Sequence, residues 1–238
     1  MKIARTIQEA RDFCRGQRLN RARLGLVPTM GALHQGHLSL ARAARTKSDV
    51  VVVSIFVNPT QFGPTEDFAK YPRSFERDCE LLEREGVDIV FAPSTDEMYP
   101  AGNATWVEVQ GLSERLCGKS RPRHFRGFAT VVSKLFHIIG PDVAFFGQKD
   151  AAQVAIIRRM VLDLDMPVAI EVCPIVREAD GLAMSSRNAY LGPAERKSAL
   201  VLYRSLQRAK TLFDGGERSS DKLISAAKQE FALAEGAL

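Results

Sequence analysis

The run "VVVVSIFV", Val50 to Val57, carries apolar, largely β-branched residues on both faces that a strand would present. Such a segment fits only a strand covered on both sides, the middle of a parallel sheet between helical layers. Further strand-length apolar runs recur: "LGLV" at Leu24, "VDIVFA" at Val87, "DVAFF" at Asp142 and "VAIEVC" at Val168. Helical periodicity fills the gaps, in "HLSLARAARTK", "SFERDCELLEREG", "GFATVVSKLFHIIG" and "AAQVAIIRRMVLDL".

Strand and helix therefore alternate, which predicts an α/β fold: a Rossmann-like, doubly wound parallel sheet joined by right-handed crossovers. With 238 residues and 45% hydrophobic composition, the chain is long enough for one large domain and a smaller appendage. The boundary is placed after residue 175. Residues 1–175 form the Rossmann-like domain, and 176–238 a small, mostly helical carboxyl-terminal domain. There, "PAERKSALVLYRSLQRAKTLFDGG" and "SSDKLISAAKQEFALAEG" read as two helices, with Pro193 near the first start and Gly215–Gly216 after its end. "EMYPAGNATWVEVQG" predicts one shorter strand around Trp106, at an edge or outside the main sheet.

The amino terminus "MKIARTIQEARDF" lacks the apolar core of a signal peptide, and no apolar run reaches bilayer-spanning length, so no membrane partner is expected. Cys14, Cys79, Cys117 and Cys173 are too far apart for a zinc knuckle or a disulfide framework, which fits a reducing cytosol. A net charge of +5 suits nucleic acid and an anionic small substrate equally. Aromatic content of 8%, without a stacking platform, speaks against a nucleic-acid-binding module.

In open α/β sheets ligands gather at the carboxyl ends of strands, and four polar motifs fall there: "PTMGALHQGH", "NPTQF", "GQKD" and "READGLAMSSRN". In the first, His34 and His37 bracket Gly36 where a strand gives way to a helix. Unpaired amide N–H groups are expected at that seam, ready to hold phosphate oxygens, and the imidazoles would donate to the same phosphate or stabilise its developing charge. The plain alternative is two loop histidines that cap a helix. In "AMSSRN" two hydroxyls precede a guanidinium suited to gripping phosphates, although the same string makes an ordinary exposed turn. "DAAQ", Asp150 to Gln153, has capping-box spacing, so local structure alone would account for both residues. "NPTQF" has the Asn-Pro of a loop opening after a buried strand.

A His-x-Gly-His element early and a Met-Ser-Ser-Arg element late resemble the paired HIGH and KMSKS motifs of adenylate-forming nucleotidyltransferases. The order "PTMGALHQGH", "SIFVNPTQF", "HFRGFATVVSKLF", "PDVAFFGQKD", "VREADGLAMSSRN" is similar to the pantoate–β-alanine ligase family over most of Pro28 to Asn188. The resemblance implies a two-step reaction: pantoate attacks the α-phosphate of ATP, giving pantoyl adenylate and pyrophosphate, and the amine of β-alanine then displaces AMP. Mg2+ accompanies the ATP; the metal ligands are unknown.

The resemblance also implies site residues. Met30, Gly31, Ala32, Leu33, His34, Gln35, Gly36 and His37 would line the ATP site, with His37 catalytic. Gly147, Gln148, Lys149 and Asp150 would add a second phosphate-binding turn, Gln148 standing where the family usually has glutamate. Val176, Met184, Ser185, Ser186 and Arg187 would complete the ATP site, while Gln61 and Gln153 would hold pantoate and β-alanine. The basic loop "GKSRPRHFRG" is left outside the site, since Arg123 stands where the family often has glycine. Family members usually continue for some tens of residues, so the carboxyl-terminal domain reads as partial. The resemblance implies a cytoplasmic homodimer acting on pantoate, β-alanine and ATP. Another HxGH adenylyltransferase is the nearest alternative, which "NPTQF" and "GQKD" disfavour; a class I aminoacyl-tRNA synthetase fragment would lack an anticodon-binding region.

Overall fold

The structure, a computed structural model, describes residues 1–64 and 66–232. The chain divides into two compact units, Met1–Pro174 and Ile175–Leu238.

In the first unit six strands form one wholly parallel sheet: β1 (Lys2–Ala4), β2 (Leu24–Thr29), β3 (Val50–Ile55), β4 (Ile89–Phe91), β5 (Val143–Gly147) and β6 (Ala169–Cys173). Their order is β1-β4-β3-β2-β5-β6. From β2 the chain winds outward through β3 and β4, then returns to β2's other side for β5 and β6. The reversal makes the carboxyl ends of β2 and β5 the switch point, where a crevice opens because successive crossovers leave in opposite directions.

The helices of this unit are α1 (Ile7–Leu19), α2 (Gln35–Lys47), α3 (Phe75–Arg84), the short α4 (Thr95–Met98) and α5 (Cys117–Ser120), α6 (His124–Ile139) and α7 (Ala151–Asp163). Val50 and Val52 pack into a core with α1, α6 and α7, while Val51 and Val53 pack into a second core with α2 and α3. All four valines are buried. The two-faced apolarity of this run thus reflects two helical layers, each supplied by alternate residues of the same strand.

Two features differ from expectation. Strand β1 is a sixth strand, only three residues long, paired in parallel with β4 from Lys2↔Ile89 to Ala4↔Phe91. Conversely, no strand forms around Trp106. The backbone N–H of Val107 donates to Oγ1 of Thr130 on α6 at 2.9 Å, so a side chain takes the place of a neighbouring strand.

The second unit contains α8 (Pro193–Ala199), α9 (Val201–Asp214) and α10 (Ser220–Ala232). The first expected helix is interrupted at Leu200 and becomes α8 and α9. The last residues of "SSDKLISAAKQEFALAEG" lie outside the described residues. All four cysteines are free thiols. Among the described residues no helix is long and apolar enough to cross a membrane.

Candidate active site

The crevice at the switch point is built first from the β2–α2 connection. His34 is the N-cap of α2, and His37 is its third residue. Nδ1 of His34 accepts the backbone N–H of Gly36 at 3.1 Å, and Nδ1 of His37 accepts that of His34 at 3.3 Å. The imidazoles lie 4.0 Å apart between ring centroids. The capping alternative is therefore realised, but at one nitrogen of each ring. An Nδ1 that accepts puts the proton of a neutral ring on Nε2, so a neutral His37 has its N–H on the side away from the His34 backbone.

Burial, the charge of His34 and the charge of Lys149 push the His37 pKa down to about 3. His37 is accordingly a neutral donor, and the cationic role open to it on sequence grounds does not apply to the ligand-free protein. Lys149 belongs to the other side of the crevice. It sits on the 3-10 turn Gln148–Asp150 after β5, its Nζ 3.9 Å from Asp150. Its effect on His37 brings "HQGH" and "GQKD" into one electrostatic neighbourhood.

The expected cradle of unpaired amides is corrected by the structure. The N–H of Gly31 donates to Thr29 Oγ1 at 3.2 Å, those of Ala32 and Leu33 to the Asp78 carboxylate at 2.8 and 2.9 Å, and that of His37 to the His34 carbonyl at 2.8 Å. With His34 and Gly36 bonded as above, the loop satisfies most of its own donors, because leaving several unpaired in a partly buried turn would be costly. The donors left for a ligand at this seam are therefore side chains rather than a cradle of backbone amides.

Gln61 follows β3, at the end of the 3-10 turn Pro59–Gln61 capped by Asn58. The amide is buried; its Nε2 lies 2.9 Å from Met30 Sδ, and its Oε1 accepts from Asn58 Nδ2 at 3.2 Å. This places Gln61 against Met30, the first residue of the β2–α2 loop. The turn is gripped from α6: His124 Nδ1 lies 2.7 Å from the Gln61 carbonyl, and Asn58 Nδ2 donates to the Gly127 carbonyl at 3.1 Å. A Cβ on Gly127 would stand 2.2 Å from the Thr60 carbonyl, so only glycine allows this approach. Arg121 pairs with Glu66, holds it below the usual carboxylate range, and reaches Nε2 of His124 at 3.2 Å. The basic loop left outside the site thus holds the turn that carries Gln61.

Gly147, Gln148 and Asp150 share the Lys149 turn, and Gln153 lies in the first turn of α7. The Asp150 side chain makes no capping hydrogen bond, so the capping box suggested by "DAAQ" does not form. Asp78 and His124 escaped the sequence reading. One is among several acids on an amphipathic helix and the other sits in a basic loop, and neither has a local signal.

The second unit holds its own cluster. Arg177 and Ala183 form an antiparallel bridge, and Met184 donates its N–H to the Val176 carbonyl at 3.0 Å, so Val176 and Met184 are neighbours. Ser185 caps the 3-10 turn Ser186–Tyr190, which carries Ser186 and Arg187. Asn188 donates to Glu178 at 2.7 Å and to the Ala183 carbonyl at 3.1 Å, while Arg196 bridges Glu178 and Asp180 at 2.8 and 2.7 Å. The Met-Ser-Ser-Arg turn is therefore fastened at both ends.

The chain matches the family model for pantoate-beta-alanine ligase over residues 2–237. It is 59% identical to the pantothenate synthetase of Koribacter versatilis, over 100% of this chain and 81% of the relative. It is 60% identical to that of Thermotoga petrophila, over 94% and 80%. The structure resembles Thermus thermophilus pantothenate synthetase with a TM-score of 0.93 at 47% identity, covering 99% of this chain and 83% of that one. It also resembles Francisella tularensis pantoate-beta-alanine ligase complexed with beta-gamma ATP and beta-alanine, with a TM-score of 0.83 at 37% identity over 97% and 86%.

Proposed function

The chain belongs to the pantoate–β-alanine ligase family, and from that premise we propose how its residues divide the work of that reaction. The enzyme condenses pantoate with β-alanine at the expense of ATP. A pantoate carboxylate oxygen bonds to the α-phosphorus, the bond from that phosphorus to the β-phosphate bridging oxygen breaks, and pyrophosphate departs. The β-alanine amine then adds to the acyl carbon of the adenylate, and AMP leaves.

Neither step asks for a protein nucleophile, because each substrate brings its own. What the protein supplies is positive charge and hydrogen-bond donors around a phosphorus passing through five-coordination. The observation that carries this assignment is the His37 imidazole held neutral at the switch point by burial, with the Lys149 charge a smaller contributor. His37 donates from Nε2 to an α-phosphate oxygen, a bond that strengthens as charge grows there. Lys149 acts as a point charge on the polyphosphate. The loop Met30–His37 and the turn Gly147–Asp150 bind ATP in this reading, and Val176 with Met184–Arg187 carry the same assignment from the family resemblance. Mg2+ enters as the ATP complex, as part of the substrate.

Gln61 and Gln153 read pantoate and β-alanine. A primary amide both donates and accepts, which matches a substrate carrying hydroxyls and a carboxylate. The homodimer implied by the family resemblance belongs to the same reading and is measured by light scattering. A cytoplasmic location is supported by the four free thiols. The deciding experiment incubates the protein with MgATP, pantoate and β-alanine and identifies the products. Pantothenate with AMP and pyrophosphate supports the reading, whereas ADP and phosphate overturn it.

A further inference from the structure

We propose that Asp78 is a positioning residue for the nucleotide loop, its carboxylate holding the Gly31–Leu33 backbone in the left-handed turn that aims His34 and His37. The inference rests on the assignment of ATP to that loop.

Asp78 lies in the first turn of α3 and is only 1% exposed. Its oxygens are divided between neighbouring amides: Oδ2 accepts the Ala32 N–H at 2.8 Å, and Oδ1 the Leu33 N–H at 2.9 Å together with the Ser74 hydroxyl at 3.1 Å. The backbone it grips is unusual. Gly31 and Ala32 both have positive φ, +81° and +49°. Glycine takes this conformation freely, but alanine does so against the contact between its Cβ and the backbone. A Cβ on Gly31 would also stand 3.0 Å from Asp78 Oδ2, so the carboxylate is packed directly beneath the turn. A buried carboxylate is tolerated only when its acceptor capacity is used, and here the backbone uses it.

Charge alone argues the opposite of the clamp. A carboxylate placed under a polyphosphate site repels the ligand, so its neutralisation should tighten ATP binding if Asp78 had no other role. A clamp predicts weaker binding on the same substitution. In Asp78→Asn one side of the carboxylate becomes an NH2 group facing an N–H donor. One clamp bond is lost, and a donor–donor contact replaces it.

The experiment measures direct ATP and pantoate binding, with amide hydrogen exchange, for the wild type, Asp78→Asn and Asp78→Asn/Ala32→Gly. Asp78→Asn should weaken ATP binding about tenfold or more, the loss expected when a charge-assisted bond goes and a buried donor is left unpaired. Pantoate binding should stay within about twofold, since its proposed contacts lie outside the clamp. Exchange at Ala32 and Leu33 should accelerate while β2 and β3 stay protected. Glycine at position 32 should recover most of the lost ATP affinity, because it adopts the left-handed turn without the clamp.

Unchanged or tighter ATP binding by folded Asp78→Asn overturns the proposal. So does failure of glycine to rescue, the result expected of a metal ligand or of a residue acting only on global stability. Should Asp78→Asn not fold, Ala32→Val tests the same backbone from the other side. A β-branched residue resists positive φ, so ATP affinity should fall about tenfold, and wild-type affinity would again overturn the clamp. If the wild type itself binds no ATP, the functional assignment of the loop fails, while amide exchange at Ala32 and Leu33 still decides whether Asp78 holds it.

Discussion

His34 donates its backbone N–H to Nδ1 of His37 at 3.3 Å, and in the neutral ring this bond leaves the proton on Nε2. Helix capping takes one end of the imidazole, and the other end is the one proposed for the α-phosphate. Replacing His37 by alanine removes both.

His37→Ala should depress pantoate-dependent exchange of labelled pyrophosphate into ATP about 10²- to 10³-fold, the effect of deleting one donor to a developing oxyanion, about 2.7–4 kcal/mol. Direct ATP binding should fall much less, because the lost bond is strongest in the transition state. Equal losses in both, with the maximal rate unchanged, would make His37 a ground-state contact. Exchange should require pantoate and no β-alanine.

The depressed pKa of His37 makes acid stability testable. From the ordinary value near 6.5 down to about 3, the unfolded imidazole is protonated and the native one is not. The unfolded state therefore binds more protons, and His37 destabilises the fold progressively as pH falls through that window, by about 1.4 kcal/mol per unit. Above pH 6.5 both states are neutral and the contribution vanishes. Urea unfolding of His37→Gln should show less acid sensitivity than wild type between pH 7 and 5, a difference near 2 kcal/mol at pH 5. Parallel pH profiles would contradict the buried neutral histidine.

Lys149 lowers the His37 pKa and is assigned to ATP, so Lys149→Ala should have two readouts. The His37 pKa should rise in an NMR titration, although burial, the larger cause, keeps it below normal. ATP binding should weaken while pantoate binding holds. Gln61→Ala should reverse that pattern, raising the apparent pantoate constant alone.

Gly127→Ala places a methyl group into the Thr60 carbonyl, 2.2 Å away. Backbone must move, and overpacking of this kind costs about 1–3 kcal/mol. The displaced segment carries Gln61, so the pantoate constant should rise together with the fall in thermal stability. A stability loss with unaltered pantoate kinetics would disconnect the turn from the substrate.

Because α7 starts without a side-chain capping bond, Gln153→Ala should leave the melting temperature nearly unchanged. Pantoate binding should fall, and more so in Gln153→Glu, where a carboxylate faces an anion. Normal pantoate binding by both variants would remove Gln153 from the site.

The alternation of apolar runs and helical periods was enough to place five of the six strands and to set the polar motifs at their carboxyl ends, because side-chain periodicity is a local property. Val50–Val53 announced two covered faces by themselves. Strand β1 was illegible, since three residues carry no period and only the free edge of β4 makes them a strand. The same division runs through the site. His34, His37, Lys149 and Gln61 stand in short motifs whose chemistry shows in their composition. Asp78 looks like any acid on a solvated helix until α3 packs beneath the β2–α2 loop, and His124 looks like part of a basic loop until α6 meets the Pro59–Gln61 turn. The expectation of unpaired amides in the Met30–His37 loop failed for the same reason. A backbone donor's partner is chosen by whatever the fold brings within 3 Å, and residues 46 or 63 positions apart in the chain meet only once the sheet and its helices have closed.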